Sequence, residues 1–387
     1  MTMDKSLQNK LSKIYRSLHQ YPELGWQEYK TSRLIAQTLK NAGIKVKTGV
    51  GKTGVVSLLD TPGNKCLALR ADMDALPIKE ATNLLYASKN KGVMHACGHD
   101  GNMTTVLGAA MLLVRQRDRL KGQVKFIFQP NEENANGALA MIKDGVLENP
   151  PVTAIIGVHV SSAVPTGKIG IKYGQMMAAV DEFTITVLGE GGHGAYPHKG
   201  VDAIVVASQV IANLQTLVSR QIDPLAAVVI SVGSIHGGNQ FNILADKVVM
   251  NGTVRTLDEK LHKKIPQMMK RAIDGITKSM GAHYKLDYKI IGHSLVNDDK
   301  INDLIKKVAF AKLGQDNVVL MAKPSMGGED FAAYLDKVPG AFIYLGTADK
   351  DKKQNYPWHH PKFRVNEKTI FLGAELLAGI AEEYLKS

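Results

Sequence analysis

The stretch CLALRADMDALP, residues 66–77, runs a short β-rich segment straight into two carboxylates, Asp72 and Asp74. The same arrangement recurs twice. VKFIF (124–128) leads into QPNEE, with Glu132 and Glu133, and AIIGVHV (154–160) carries His159 near its end. In open parallel α/β sheets, ligands bind beyond the carboxyl ends of the strands. Three strands that deliver acids and an imidazole to one rim therefore predict both a fold and the place where its chemistry collects.

The flanking sequence agrees with such a sheet. KSLQNKLSKIYRSLHQ and YKTSRLIAQTLKNAG carry apolar residues at three- and four-residue spacing, and the second stops at Gly43. VVSLL (55–59) is a further short strand, and GNMTTVLGAAMLLVRQ reads as a largely buried helix. Helices alternating with strands argue for an α/β, mainly parallel sheet with helices on its faces. The middle of the chain differs. DEFTITVLG (181–189) alternates as a half-exposed strand, and AIVVASQVIANLQTLVSRQ is helical. AAVVISVGSI and DKVVMNGTVRT are strands, KLHKKIPQMMKRAIDGITKSM is a helix interrupted near Pro266, and AHYKLDYKII is a last strand. The order β-α-β-β-α-β is that of a ferredoxin-like unit. Residues 179–292 are thus expected as a domain inserted into another formed by 1–178 and 293–387, with α/β character resuming after the insertion.

A chain of 387 residues is too long for one ordinary core, which suits two domains. The net charge of +12 invites a nucleic-acid reading, but acids stand between the lysines in DKINDLIKK and EKLHKKIPQMMKR. A solvated surface with no nucleic-acid partner is the expectation, compatible with a mild pull on anionic substrates. The start MTMDKSLQNK has no apolar core and no run is long enough to cross a bilayer, so neither export nor a membrane partner is expected. Two cysteines make no disulfide framework and suit a reducing compartment, with cytoplasm the default.

One of those cysteines stands in HACGHD (95–100), between two histidines. Three readings compete: a metal site, a cysteine nucleophile paired with a histidine and Asn102, and a polar loop. Carboxylate, imidazole and thiolate together suit zinc or another borderline ion. In an extended segment Cys97 and His99 would point the same way and reach one ion. Near the C-terminus WHHPKF offers His359 and His360. Adjacent glutamates normally repel, but if Glu133 binds metal its charge is compensated and Glu132 is left as a base. A lone CxH or EE pair means little, and Cys66 reads as a buried strand residue. His19, His198, His236, His262, His283 and His293 read as surface or packing residues. The nucleophile reading leaves the strand-end carboxylates unexplained. Their convergence on one sheet edge favours a metal hydrolase.

At these residues the sequence resembles the amidohydrolase branch of metallopeptidase family 20, which contains hippurate hydrolases, N-acyl-amino-acid deacylases and indoleacetyl-amino-acid hydrolases. The resemblance runs from LHQYPELGWQE (18–28) to HHPKFRVNE (359–367), with RADMDALPI, MHACGHDG, FQPNEE, GGHGAYPH, NGTVRT and GGEDFAAYL in family order. It implies two divalent metal ions per subunit, zinc or manganese first, with cobalt or nickel as alternatives. It implies Cys97, His99, Glu133, His159 and His359 as ligands, Cys97 shared between the ions, and Glu132 as general base. Asp74 and Asp100 would support the ligands from behind. The inserted domain would be a lid and dimerisation domain, making a homodimer. It would bring His193 to the developing oxyanion, with Asn242 and Arg255 for the substrate carboxylate. The implied reaction is hydrolysis of N-acyl amino acids to a carboxylic acid and an amino acid. Carboxypeptidase or dipeptidase use of the same site is the rival, and a silent binder of amino-acid conjugates has no need of Glu132. The family usually has histidine at Asn102, alanine at Asn131 and a proline in the segment NILAD (242–246). These departures remove no ligand and bear on selectivity.

Overall fold

The computed structural model describes residues 3–349, 351 and 355–386. The chain begins with α1 (Lys5–Gln20) and α2 (Tyr29–Asn41), then β1 (Lys45–Val50), β2 (Gly54–Leu59), β3 (Cys66–Asp72), α3 (His99–Val114), β4 (Gln123–Gln129), α4 (Gly137–Lys143), β5 (Ala154–Pro165) and β6 (Ile169–Ile171). After β7 (Gly174–Met177) come β8 (Ala179–Leu188), β9 (Gly192–His193), α5 (Ala203–Thr216), β10 (Val228–Gly237), β11 (Ile243–Leu244), β12 (Lys247–Thr256), α6 (Glu259–Ser279) and β13 (His283–Gly292). The chain then returns through β14 (Leu295–Asn297) to α7 (Asp299–Leu313), β15 (Val318–Leu320), α8 (Ala332–Leu335), β16 (Gly340–Ala348) and α9 (Glu367–Lys386). Two compact units result: Met1–Met176 with Val296–Lys323 and Asp330–Ser387, and Met177–Leu295 with Pro324–Glu329.

In the first unit an eight-stranded sheet runs β1-β2-β4-β3-β5-β16-β6-β15. Its centre is parallel, β4 with β3, β3 with β5 and β5 with β16. Antiparallel pairs lie outside it, β1 with β2, β2 with β4 and β16 with β6. Every residue of β3 is buried, as expected of a strand covered on both faces. The helix expected in GNMTTVLGAAMLLVRQ is α3, buried from His99 to Leu113 and apolar on all sides from Val106 onwards. It packs against α9 so closely that a Cβ at Gly108 would stand 2.7 Å from the Ala374 methyl. The α1 helix starts where the Asp4 carboxylate accepts from Leu7 N–H, and it buries Leu7, Leu11, Ile14 and Leu18.

The second unit has a four-stranded antiparallel sheet in the order β10-β12-β8-β13, with α5 and α6 packed on it around Phe183, Ile185, Val210, Met250 and Met269. This is the ferredoxin-like arrangement. β8 alternates buried and more exposed residues as its sequence requires. One expectation fails. Pro266 does not interrupt its helix, because α6 continues through it to Ser279. Proline removes one N–H that would bond the carbonyl of His262, and the stripe Ile265, Met269 and Ile273 buried against the sheet outweighs that loss.

Candidate metal centre

Strands β4, β3 and β5 are neighbours and parallel, so their carboxyl ends share one rim. Asp72 ends β3, Glu132 and Glu133 follow β4, and His159 lies in β5. HACGHD closes onto the same rim. The Cys97–His99 pairing does not arise from extended chain, as the spacing suggested. Gly98 adopts φ +89 and caps the start of α3, and a Cβ there would meet Val160 at 2.4 Å. Only glycine takes that turn readily at that distance. The turn still converges the donors: Cys97, His99 and His159 offer ligand atoms within 4.8 Å of one another, and so do Cys97, Glu133 and His359. The two triads share the thiol.

Hydrogen bonds aim the imidazoles. His99 Nδ1 lies 2.8 Å from the Asp74 carbonyl oxygen, and His159 Nδ1 lies 2.8 Å from that of Val160. A carbonyl only accepts, so each Nδ1 carries a proton and each Nε2 is left for the rim, offering its lone pair once any second proton has gone. His159 Nε2 is 3.5 Å from Cys97 Sγ, and His359 Nε2 is 3.5 Å from Glu133 Oε2. Donors sharing one tetrahedral zinc stand roughly 3.4–3.6 Å apart. His99 Nε2 and Glu133 Oε1 are buried and take no hydrogen bond among the described residues. Such atoms are costly unless something binds them. Residues and spacing fit a pair of divalent ions.

Asp74 holds the glutamate pair. Its carboxylate accepts from Glu132 N–H at 3.0 Å and Glu133 N–H at 3.1 Å, so one buried side chain sets both. Glu132 is also close to His99 and Glu133, with ligand atoms within 4.8 Å. Asn131, just before them, has φ +53, a left-handed conformation that asparagine tolerates better than alanine, and its N–H donates to Glu28. Asn102 stands behind the rim. It donates to Asp72 at 2.8 Å and accepts from Val160 N–H at 2.9 Å, tying β3 to β5 beside His159. Asp100 turns away, its carboxylate 2.6 Å from His19.

The electrostatics favour positive charge. Burial alone would lower His99, but Asp72, Asp74 and Glu133 outweigh it and raise the imidazole to about 10. His159, where burial dominates the pull of Asp72, falls to about 4. Burial likewise raises Glu133. A proton on His99 answers some of the negative charge, and a cation would answer more.

The remaining expected residues are not among these groups of donors. His360 stacks on Tyr356 at 4.4 Å and accepts from Lys362 N–H. In the second unit β9 and β11 pair, with His193 opposite Ile243. His193 and Asn242 both line a cleft of about 560 Å³ with Gly192 and Asp246, so the NILAD turn forms its wall. Arg255 does not line that cleft; it stands on β12, half-buried, its Nε donating to Thr253. Sequence reading missed a buried network below the rim: Arg70 donates to Asp72, Gln129 and Asp330, and Gln129 donates to Asp330. Asp330 lies in GGEDFAAYL, the one signal available for it.

Residues 68–383 match the model of peptidase family M20/M25/M40. An N-acetyl-L-cysteine deacetylase of Bacillus subtilis is 42% identical, the match covering 99% of this chain and 90% of that protein. Thermostable carboxypeptidase 1 of Saccharolobus solfataricus is 39% identical over 98% of this chain and 96% of that one. Among solved structures, a Bacillus subtilis protein described as a dinuclear metal binding peptidase of the M20 family superposes with a TM-score of 0.86 at 36% identity, covering 100% of both chains.

Proposed function

The chain belongs to peptidase family M20/M25/M40, and we propose that it hydrolyses the amide bond of N-acyl amino acids, releasing a carboxylic acid and a free amino acid. The observation that carries this reading is the pair of donor triads sharing Cys97, with Glu132 beside them. Cys97, His99, Glu133, His159 and His359 would hold two divalent ions, and thiolate with imidazole and carboxylate suits zinc or manganese first, with cobalt or nickel next. When bound, the ions supply Lewis acidity, acidifying water and polarising the acyl carbonyl. Glu132 removes the proton of the attacking water and delivers it to the departing nitrogen, which makes one carboxylate both base and acid. Asp74, gripping its backbone N–H, keeps it aimed.

His193 donates to the oxyanion as the carbonyl becomes tetrahedral. Asn242 and Arg255 grip the substrate carboxylate. The second unit serves as lid and as the interface of a homodimer, a reading supported by the exposure of Ile204, Ile235, Phe241 and Ile243 on that unit. Among the described residues no helix is long and apolar enough to cross a membrane. Two cysteines outside any disulfide suit the reducing cytoplasm.

A second reading, carboxypeptidase or dipeptidase use of the same groups, is favoured by the likeness to thermostable carboxypeptidase 1. A turnover screen decides. The chain stripped of metal and reloaded with zinc, manganese or cobalt is given acetyl and benzoyl amino acids beside free and blocked dipeptides. The N-acyl amino acids should show the higher kcat/KM. Dipeptides outcompeting them would overturn the substrate assignment.

A further inference from the structure

Glutamate and two histidines also meet in the second unit. Glu259 and His262 occupy the first turn of α6, three residues apart and therefore on one face, and His293 follows the end of β13. One ligand atom from each lies within 4.8 Å of the others. His262 Nδ1 stands 3.6 Å from one Glu259 oxygen, and His293 Nδ1 stands 3.5 Å from the other. These separations are long for hydrogen bonds and match the roughly 3.4 Å between donors on a common zinc. The two imidazoles meet edge to face, with ring centroids 5.8 Å apart.

His262 is held as a ligand would be. Its ring is buried on the sheet-facing side of α6, and its Nε2 lies 2.8 and 2.9 Å from the two oxygens of buried Asp181. Tyr288 donates to the same carboxylate, at 2.5 Å. With Nε2–H given to Asp181, Nδ1 presents its lone pair towards Glu259 and His293. A carboxylate behind a histidine is the usual support of a metal-binding imidazole, fixing its tautomer and raising its basicity. The nearest competing cation is Lys263, whose exposed ammonium lies 3.5 Å from Glu259.

We propose that Glu259, His262 and His293 form a cation site of their own, taking a borderline divalent ion such as zinc and leaving water in its open positions. Such an ion would clip the first turn of α6 to the end of β13, an edge strand of the four-stranded sheet. Such a role would go beyond the sequence reading of both histidines as surface or packing residues.

The test is a zinc titration of the full chain against a competing chromophoric chelator, begun with the rim centre already loaded. Wild type should take one further zinc per chain. His293→Gln should weaken that zinc by at least about 10-fold while leaving hydrolysis and rim loading unchanged, and Asp181→Asn should weaken it by roughly 10–100-fold. His293 is half-exposed, so its variant should fold even if replacing buried His262 or Asp181 does not. Absence of a further zinc in wild type, or binding unchanged in His293→Gln, would overturn the site.

Discussion

The rim of the central sheet and the first turn of α6 both gather histidines and carboxylates, yet they anchor the imidazoles differently. At the rim, His99 and His159 spend Nδ1 on backbone carbonyls of Asp74 and Val160. A carbonyl is neutral and belongs to the rigid chain, so it sets the ring's direction without supplying charge. His159, where burial dominates, falls to about 4, while Asp72, Asp74 and Glu133 around His99 raise that imidazole to about 10. On α6, His262 leans on the carboxylate of Asp181, and in the first unit His19 leans on Asp100 and Glu80. A carboxylate sets direction and also favours a proton on the ring. The rim thus sets His159, which carries no second proton, beside His99, which holds one until a cation takes its place, while Asp181 and Asp100 fix the direction of His262 and His19. The lesson is that a histidine's far nitrogen, more than its neighbours in sequence, decides what its near nitrogen can do.

The comparison breaks first at Cys97. It is the donor common to both rim triads, and a hydroxyl is a far poorer shared ligand than a thiolate. Cys97→Ser should lose metal by elemental analysis and fall below detectable turnover, while a zinc site on α6 should persist. Full activity in chelated protein would return the cysteine nucleophile.

A smaller loss is expected at His193. His193→Ala should lower kcat by roughly 10²–10³-fold with little change in KM, as for other oxyanion donors. Mixing dissociated His193→Ala and Glu132→Ala subunits tests its reach. Recovered activity in the hybrid would mean that the imidazole acts across a dimer. Full subunit exchange without recovery would confine it to its own chain.

The carboxylate-backed class makes a pH prediction at His19. Burial opposes its charge, but Asp100 and Glu80 outweigh burial and raise its pKa from 6.5 to about 9. A raised folded pKa stabilises fully below the unfolded value and is lost as pH rises through the folded one. Stability should therefore fall between pH 6.5 and 9, by on the order of 3 kcal/mol from this group. His19→Gln should flatten that slope in urea melts across the range, and an unchanged slope would assign it elsewhere.

The smallest of these effects concerns support at the rim. Asp74→Ala removes the acceptor of both glutamate N–H groups while keeping the backbone carbonyl that orients His99. Metal affinity should drop by about 10–100-fold with the fold intact by circular dichroism. Unchanged affinity would mean that the backbone alone positions Glu133.

Much of this was legible in the sequence because strand ends announce themselves. A short β-rich run stopping at carboxylates shows where a parallel sheet opens, and β3, β4 and β5 are indeed adjacent. The β-α-β-β-α-β order was equally plain, since a strand's two-residue period and a helix's three-to-four differ sharply. What stayed hidden depended on partners far along the chain. Nothing in CLALR marks Arg70 for burial, yet it is fully buried because Asp330 lies 260 residues away and 3.0 Å distant. His262 looked like one more polar residue of a basic helix, and only Asp181, 81 residues earlier, makes it a held imidazole. Gly98 shows a different failure. Cys97 and His99 do converge, through a left-handed turn instead of extended chain, because periodicity says nothing about where a glycine reverses the backbone.

The central claim is that two adjacent glutamates hold different offices, Glu133 as ligand and Glu132 as proton carrier. Glu132→Gln, with metal content and turnover measured on the same preparation, tests it most directly. The amide keeps the shape and cannot take a proton from water, so both ions should remain while turnover falls by roughly 10²–10⁴-fold. A Glu132→Gln protein that sheds its metal, or that keeps its metal and turns over at the wild-type rate, would contradict the assignment.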